Sequence, residues 1–308
     1  MSELSRAADS AHREFPQVEC LFGEEMKKHT SFKIGGAAAC VFLPESFEDM
    51  KNIAGALREL GVSPIIVGNG TNLLADDGAL DIAVIKTSKL CDLYTRGENE
   101  IFAQCGTPLS RLAMFACENE LTGAEFAHGI PGTVGGAVLM NAGAYGGEMA
   151  SVIKEVTFLT RDLEVRTVSA EESGFSYRHS RFIDSGEIIL SAVFGLSRGD
   201  AVTIKSKMEE LSKKRRESQP LNLPSAGSTF KRPKNGYAAA MIDDSGLKGF
   251  SVGGAQVSEK HAGFVVNVGK ASFSDVISVM EHVRETVLEK HGVLLEPEVR
   301  IISDKTFF

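Results

Sequence analysis

The sequence predicts an α+β protein built from two N-terminal lobes and one C-terminal lobe. Its 308 residues allow two or three domains, because a domain usually holds roughly 100 to 200 residues. Segments with strand and helix patterns alternate along the chain, which favours mixed sheets packed against helices. Pro220 and Pro224 interrupt this alternation, and the pattern restarts beyond them. We therefore assign residues 1–88 to the first lobe, 89–217 to the second lobe and 218–308 to the C-terminal domain.

The first lobe is predicted to contain a strand, a helix and a second strand that leads into a glycine-rich turn. A polar helix candidate comes first, and the apolar run at residues 38–43 is typical of a strand. In the next segment, SFEDMKNIAGALRELG, apolar residues recur at helical spacing. Ser46 and Asp49 match a capping box there, and Gly61 can end the helix. A strand at residues 64–67 then runs directly into the turn GNGTN.

The same patterns predict the elements of the second lobe and the C-terminal domain. Pro108 occupies the first turn of a helix at residues 108–121, and Gly292 ends a strong helix at residues 274–291. The other predictions are strands at residues 82–87, 101–104, 155–160, 164–168, 187–196, 254–257, 263–268 and 294–302, and helices at residues 200–217 and 237–243.

Composition and charge argue against several classes of protein. The chain is 43% hydrophobic and 24% charged with a net charge of −8, so we expect no broad basic surface for nucleic acid or anionic membranes. One basic run, residues 213–216, lies in a helical pattern. It is either a solvated helix end or a local contact for an anion. The five cysteines are scattered and the histidines are unclustered, which argues against disulfides and against a metal site.

The N-terminal segment and the hydropathy pattern predict a cytoplasmic protein with reduced thiols. The first fifteen residues carry three acidic side chains and lack an apolar core, so they match neither a signal peptide nor a transit peptide. No apolar run approaches the roughly 18 residues of a membrane span. We therefore expect no insertion into a membrane.

Two glycine-rich segments are candidates for binding a phosphate. IIVGNGTNLLADD, residues 65–77, is a strand that ends in a turn whose backbone N–H groups can face an anion. GIPGTVGG, residues 129–136, places glycines and Thr133 where a helix begins. Each segment alone could be a plain turn, and neither matches the dinucleotide fingerprint or a P-loop. Together they favour a diphosphate held between two subdomains.

Three further motifs carry polar side chains that are candidates for catalysis or ligand binding. The first is YRHSRF, residues 177–182. Its Arg178 either binds a carboxylate through two parallel hydrogen bonds of the guanidinium or is only a surface arginine. LPSAGSTFKRP, residues 223–233, has Ser228 in a stiffened turn, where a serine can donate a proton or simply bond to the local backbone. LLEPEVRII places Glu298 on the polar face of a strand, and a solvated face is the other interpretation.

The motifs taken together resemble the UDP-N-acetylenolpyruvoylglucosamine reductase family, the FAD-dependent enzymes of the second step of bacterial peptidoglycan precursor synthesis. They occur in the family's order and cover the chain from about residue 20 to its end. Because only 70 residues separate Ser228 from Glu298, the chain resembles the shorter class, which lacks the inserted tyrosine loop. The motifs are TSFKIGG (30–36), VGNGTNLL (67–74), GIPGTVGGA followed by MNAGAYG (129–146), YRHSRF (177–182), PSAGSTFKRP (224–233) and EPEVRII (296–302).

The resemblance implies a fold, a reaction and a set of site residues. The fold is a two-lobed FAD-binding domain of the vanillyl-alcohol-oxidase type, followed by a C-terminal α+β substrate domain. NADPH reduces non-covalent FAD, and the enolpyruvyl sugar then accepts a hydride. Arg178 becomes the catalytic arginine, Ser228 the proton donor and Glu298 the catalytic glutamate. The residues implied for FAD are Gly68, Asn69, Gly70, Thr71, Asn72, Leu73, Gly129, Ile130, Pro131, Gly132, Thr133, Gly135 and Gly136, and those for the UDP-sugar are Tyr177, Arg216 and Lys231.

Two other functions are compatible with parts of this pattern. A flavin oxidase of hydroxy acids or sugars would share the lobes, but it would not explain Ser228 and Glu298 together. A regulatory module that binds a nucleotide without catalysis is the non-enzymatic alternative, and a colourless purified protein would favour it.

Overall fold

The computed structural model describes residues 3–303. Its α-helices are α1 (Glu3–Glu14), α2 (Phe47–Glu59), α3 (Leu109–Glu118), α4 (Val134–Leu139), α5 (Ala201–Ser218), α6 (Ala238–Asp244) and α7 (Phe273–His291). Its strands are β1 (Glu19–Phe22), β2 (Ala38–Leu43), β3 (Ile65–Val67), β4 (Leu73–Ala75), β5 (Leu80–Lys86), β6 (Leu93–Thr95), β7 (Glu100–Gln104), β8 (Leu121–Thr122), β9 (Gly143–Ala144), β10 (Gly147–Glu148), β11 (Ile153–Leu159), β12 (Val165–Ser169), β13 (Ile188–Gly195), β14 (Ser197–Arg198), β15 (Ser251–Val252), β16 (Ala255–Val257), β17 (Val265–Asn267) and β18 (Arg300–Ile302).

The chain folds into two compact units, each assembled from three stretches of sequence. The first unit contains the described residues of 1–22, 39–69 and 81–215, and the second those of 23–38, 70–80 and 216–303. The first unit thus contains most of both predicted N-terminal lobes. The second joins the predicted C-terminal domain to two short segments from the N-terminal half. The boundaries at residues 88 and 217 stay predictions.

One sheet of the first unit has the strand order β1-β2-β5-β3. Helix α2 begins as the sequence predicts, because the Ser46 hydroxyl accepts a hydrogen bond from the Asp49 N–H at 3.0 Å. Its apolar side chains, Met50, Ile53 and Leu57 among them, are fully buried in one core with those of β2 and β5. This packing places the end of β3, and therefore the glycine-rich turn that follows it.

The second sheet of the first unit is antiparallel, with the order β12-β11-β13-β7-β6. Its central strand β13 is buried along all but its last residue. A continuous apolar run of this kind is typical of a strand that is covered on both faces. Helix α4 packs against β13, so the second glycine-rich segment is attached to the most buried strand of this unit.

The second unit is built around helix α7, which packs against the antiparallel sheet β15-β16-β17. Ser272 and Asp275 form a reciprocal capping box at the start of α7, and Gly292 ends it in the left-handed conformation. The core of this unit includes Val276 and Met280 of α7, together with Phe32, Ile34 and Leu74 from the N-terminal half of the chain. The short segments from the N-terminal half are therefore part of its core.

The structure shortens one predicted strand and adds several short strands, one of which lies within a motif. The strand predicted at residues 294–302 is restricted to Arg300–Ile302, because residues 296–298 bond instead to residues 229–231. Leu73–Ala75, which the sequence left within a motif, is a strand that pairs in parallel with β18. Within residues 3–303, no helix has the length and apolar character needed to cross a membrane.

Candidate active site

The two glycine-rich segments lie in direct contact, although about 60 residues separate them in the sequence. A Cβ atom on Gly68 would come within 2.3 Å of the Thr133 hydroxyl oxygen. The Asn69 side-chain amide donates a hydrogen bond to the Pro131 carbonyl at 3.1 Å. The structure therefore brings together the two segments that the sequence paired only by inference.

The turn after β3 offers a run of backbone N–H groups. Gly70 is buried and left-handed, with φ of 61°, and a Cβ atom there would lie 2.0 Å from the His29 carbonyl oxygen. Glycine is therefore required by the chain's own backbone at this position. Among the described residues, the N–H groups of Asn69, Gly70 and Thr71 have no backbone or side-chain acceptor. Consecutive donors of this kind are suited to an anion.

The second glycine-rich segment is less open than its sequence indicates. The N–H groups of Val134 and Gly135 donate to the carbonyls of Thr107 and Cys105, at 2.9 and 2.8 Å. These two donors therefore stabilise the fold. At Gly136, by contrast, the nearest atom to an added Cβ is 3.8 Å away, so the chain itself does not require a glycine there.

Arg178 lies in a strained tight turn. Ser176 and His179 exchange both backbone hydrogen bonds, at 3.0 and 3.1 Å, and Arg178 adopts a φ of 54° between them. A left-handed backbone at a residue other than glycine costs about 1 to 2 kcal/mol, and such strain is often found at functional positions. The guanidinium donates to the Gly143 carbonyl at 3.3 Å and lies 5.1 Å from the centre of the exposed Tyr177 ring.

Asn141 holds this turn in place, a role that its place in the sequence did not reveal. Asn141 is buried and has a φ of 41°. Its amide donates to the Ser176 carbonyl at 3.0 Å, and its side-chain oxygen accepts from the Ala150 N–H at 2.9 Å. Asparagine tolerates a left-handed backbone better than most residues. The NAG sequence around it was therefore the available signal.

Ser228 and Glu298 lie on two segments that bond to each other. The Glu298 N–H donates to the Thr229 carbonyl and the Lys231 N–H to the Glu296 carbonyl, both at 2.8 Å. Ser228 is exposed and follows Gly227, whose φ is 78°. The Lys231 ammonium forms an ion pair with the Glu296 carboxylate.

Asn72 and Ser31 connect these segments to the first glycine-rich turn. The Asn72 amide donates to the Glu298 carbonyl at 3.0 Å. The Ser31 hydroxyl donates to the Ser225 carbonyl at 2.6 Å, and the Ser31 N–H donates to the Gly70 carbonyl at 3.1 Å. The TSFKIGG motif thus has a structural role, because its Ser31 links the loop at Ser225 to the turn at Gly70.

Family models match both parts of the chain. A model described as an FAD binding domain matches residues 38–169. A model described as the C-terminal domain of UDP-N-acetylenolpyruvoylglucosamine reductase matches residues 219–302. The curated UDP-N-acetylenolpyruvoylglucosamine reductase of Caldanaerobacter subterraneus subsp. tengcongensis is 48% identical over 282 residues, which cover 92% of this chain and 93% of that protein. The chain belongs to the UDP-N-acetylenolpyruvoylglucosamine reductase family.

Two further matches agree with this family. The UDP-N-acetylenolpyruvoylglucosamine reductase of Clostridium novyi is 47% identical over 281 residues, covering 91% of each chain. The crystal structure of the UDP-N-acetylenolpyruvylglucosamine reductase from Thermus caldophilus matches with a TM-score of 0.79 and 32% identity, over 93% of this chain and 99% of that one. The predicted fold class and the prediction of an FAD-dependent oxidoreductase are confirmed.

The residues at the glycine-rich segments fit the FAD that this reductase family uses. The N–H groups of Asn69, Gly70 and Thr71 can donate to a diphosphate. Within the first unit, the space at Gly136 separately allows a ligand to approach the backbone. The individual FAD contacts predicted from the sequence stay predictions. So do the contacts of Tyr177, Arg216 and Lys231 with the UDP-sugar.

Proposed function

We propose that this protein reduces UDP-N-acetylenolpyruvoylglucosamine to UDP-N-acetylmuramate with electrons from NADPH, through bound FAD. Membership of the reductase family over nearly the whole chain is the observation that carries the proposal. We further propose that it acts in the cytoplasm, in peptidoglycan precursor synthesis, and so contributes to cell-wall formation, cell shape and cell division.

The reaction places specific demands on the side chains. The flavin, when bound and reduced, supplies the hydride. Addition of a hydride to an enol ether that is conjugated with a carboxylate leaves extra negative charge on that carboxylate, which needs preorganised stabilisation. We assign this task to Arg178. Its planar fork matches a carboxylate, and the strained turn fixes its backbone.

Ser228 and Glu298 are assigned to the protonation step. Ser228 donates a proton to the carbon next to the carboxylate, which completes the reduction. Glu298, when its carboxyl group carries a proton, donates a hydrogen bond to the substrate carboxylate. The bond between Glu298 and Thr229 at 2.8 Å supports a shared role, because it ties Glu298 to the residue beside Ser228.

The spectrum of the purified protein tests the cofactor. We expect a yellow protein whose flavin is released by acid denaturation and bleached by NADPH without oxygen. Flavin that stays on the precipitated chain would contradict non-covalent binding. Failure to bind FAD after reconstitution would contradict the proposed function as a whole.

Ser228→Ala separates the two half-reactions. Reduction of the flavin by NADPH needs no proton donor at the sugar, so we expect its rate to be unchanged in stopped-flow absorbance measurements. Reoxidation by the enolpyruvyl sugar should slow by about 10² to 10⁴-fold, the usual contribution of a positioned acid or base.

Ser225→Ala is the matched control for this variant. Its hydroxyl lies in the same loop and, within residues 3–303, accepts only a long hydrogen bond of 3.5 Å, from the Gly227 N–H. Both half-reactions should therefore keep their rates. Equal slowing of both half-reactions in Ser228→Ala would indicate a displaced flavin. An unchanged second half-reaction would remove Ser228 from the mechanism.

A further inference from the structure

The basic run at the end of α5 contains side chains in very different environments. Lys214 is solvated and forms an ion pair with Glu210 at 2.6 Å, as expected for a helix end in water. Arg215 differs, because its guanidinium forms no hydrogen bond or ion pair with any residue in the described part of the chain. It is nevertheless partly buried, and this burial lowers the pKa of the Arg215 guanidinium.

Arg215 lies beside the second glycine-rich segment. A Cβ atom on Gly129, the first residue of that segment, would come within 3.2 Å of the Arg215 Cδ. One helical turn earlier, the Ser212 hydroxyl is hydrogen-bonded to His128 Nδ1 at 3.1 Å. The end of α5 is thus attached to the segment, and the Arg215 stem lies along its first glycine.

A partly buried guanidinium without a partner is unfavourable, because it has lost part of its water and gained no anion. The Tyr145 hydroxyl group lies near Arg215, and a hydroxyl group does not neutralise a cation as a phosphate or a carboxylate does. Such a residue is therefore explained best by a ligand that supplies the missing charge. Arginine matches phosphate well, since its fork donates two parallel hydrogen bonds.

We propose that Arg215 binds phosphate oxygens of a nucleotide diphosphate held at the segment Gly129–Gly136. This inference rests on the proposed function, which offers two nucleotide diphosphates, FAD and the UDP-sugar. It also assigns the anion contact of the basic run to Arg215, whereas Arg216, which the resemblance implies for the UDP-sugar, stays a separate prediction.

Binding measurements on Arg215→Met test the assignment without relying on turnover. Methionine keeps an apolar stem against Gly129 and removes the charge. FAD affinity is measured by titrating FAD into the deflavinated full-length chain, and UDP affinity from the change in flavin absorbance of the FAD-loaded enzyme. We expect one of the two dissociation constants to rise about 10- to 100-fold, as for a lost charge-assisted hydrogen bond. Weaker FAD binding identifies the cofactor as the ligand, and weaker UDP binding alone identifies the substrate.

Two further variants complete the test. Lys214→Met removes a neighbouring charge that is already paired, so both dissociation constants should stay at the parent value. Arg215→Lys keeps the charge but loses the fork, and should show an intermediate loss even if the methionine variant folds poorly. Parent-like binding of both ligands by folded Arg215→Met or Arg215→Lys would overturn the inference. The proposed function would survive that result, because it is tested by the parent protein's flavin and turnover.

Discussion

Gly68→Ala is expected to destabilise the fold because the new methyl group would collide with the second glycine-rich segment. The added Cβ would lie 2.3 Å from the Thr133 hydroxyl oxygen and 3.3 Å from both Thr133 Cβ and Cγ2. Thr133 is only 2% exposed, so it has little room to move away. Overpacking of this kind costs about 1 to 3 kcal/mol.

Thr133→Ala should relieve most of the collision, because it removes the hydroxyl oxygen at 2.3 Å and leaves the two Cβ atoms 3.3 Å apart, a tight contact that a shift of a few tenths of an ångström relieves. Thr133 forms no side-chain bond to cap α4, so its replacement loses no cap. We therefore expect the double variant Gly68→Ala/Thr133→Ala to be more stable than the sum of the two single substitutions predicts, by about 1 to 2 kcal/mol in the free energy of unfolding.

Urea denaturation of the four proteins of this cycle, each freed of FAD, measures the coupling. Thr133→Val is the control, because it keeps a heavy atom at the position of the hydroxyl and should not rescue Gly68→Ala. If the effects of Gly68→Ala and Thr133→Ala on the free energy of unfolding add within about 0.5 kcal/mol, the two segments are not in contact in solution. The same conclusion would follow if Thr133→Val rescued Gly68→Ala as well as Thr133→Ala does.

Three other predictions concern the cofactor, Arg178 and the C-terminal core. Gly136→Ala should keep or raise the melting temperature, since alanine favours a helix by about 1 kcal/mol over glycine. The same variant should bind FAD more weakly, because the new methyl group occupies the space at this backbone. An unchanged FAD affinity in a flavin titration would argue against a ligand there. Arg178→Lys should lower turnover at least about 10-fold and spare FAD binding. Arg181→Lys is the control and should keep normal turnover, because Arg181 pairs with Glu187 at 3.2 Å. Equal turnover of the two variants would refute the assignment of Arg178 to the substrate carboxylate. Hydrogen bonds from the N–H groups of Ser272 and Gly254 hold the pKa of Asp275 below its usual value. This stabilisation is present above the unfolded pKa of about 3.9 and is lost as the pH falls through the lower folded value. Asp275→Asn should therefore melt below the parent at pH 7 and approach it in acid, and a pH-independent difference in melting temperature would contradict this.

Most of the local structure could be predicted, because it depends on residues close together in the sequence. Helix α2 follows from Ser46, Asp49 and the spacing of its apolar residues, and α7 from its cap and Gly292. The motifs for the cofactor and for catalysis were also recognisable, since the residue types and their order carry the family resemblance.

Other features required the tertiary structure. The hydrogen bonds that use the N–H groups of Val134 and Gly135 end on carbonyls about 30 residues away, and no local pattern indicates them. The predicted terminal strand was too long because Glu296 and Glu298 bond to a distant loop, which competes with strand pairing at those residues.

The sequence by itself therefore determined the helices, the longer strands, the family and the residue types available for chemistry. Only the tertiary structure decided which glycines the backbone requires, as at Gly70, and which leave space for a ligand, as at Gly136. It also distinguished the solvated Lys214 from the partly buried Arg215 in one basic run. The physical reason is that burial and close approach depend on what the rest of the chain places next to a residue, whereas propensity and capping depend on its neighbours in sequence.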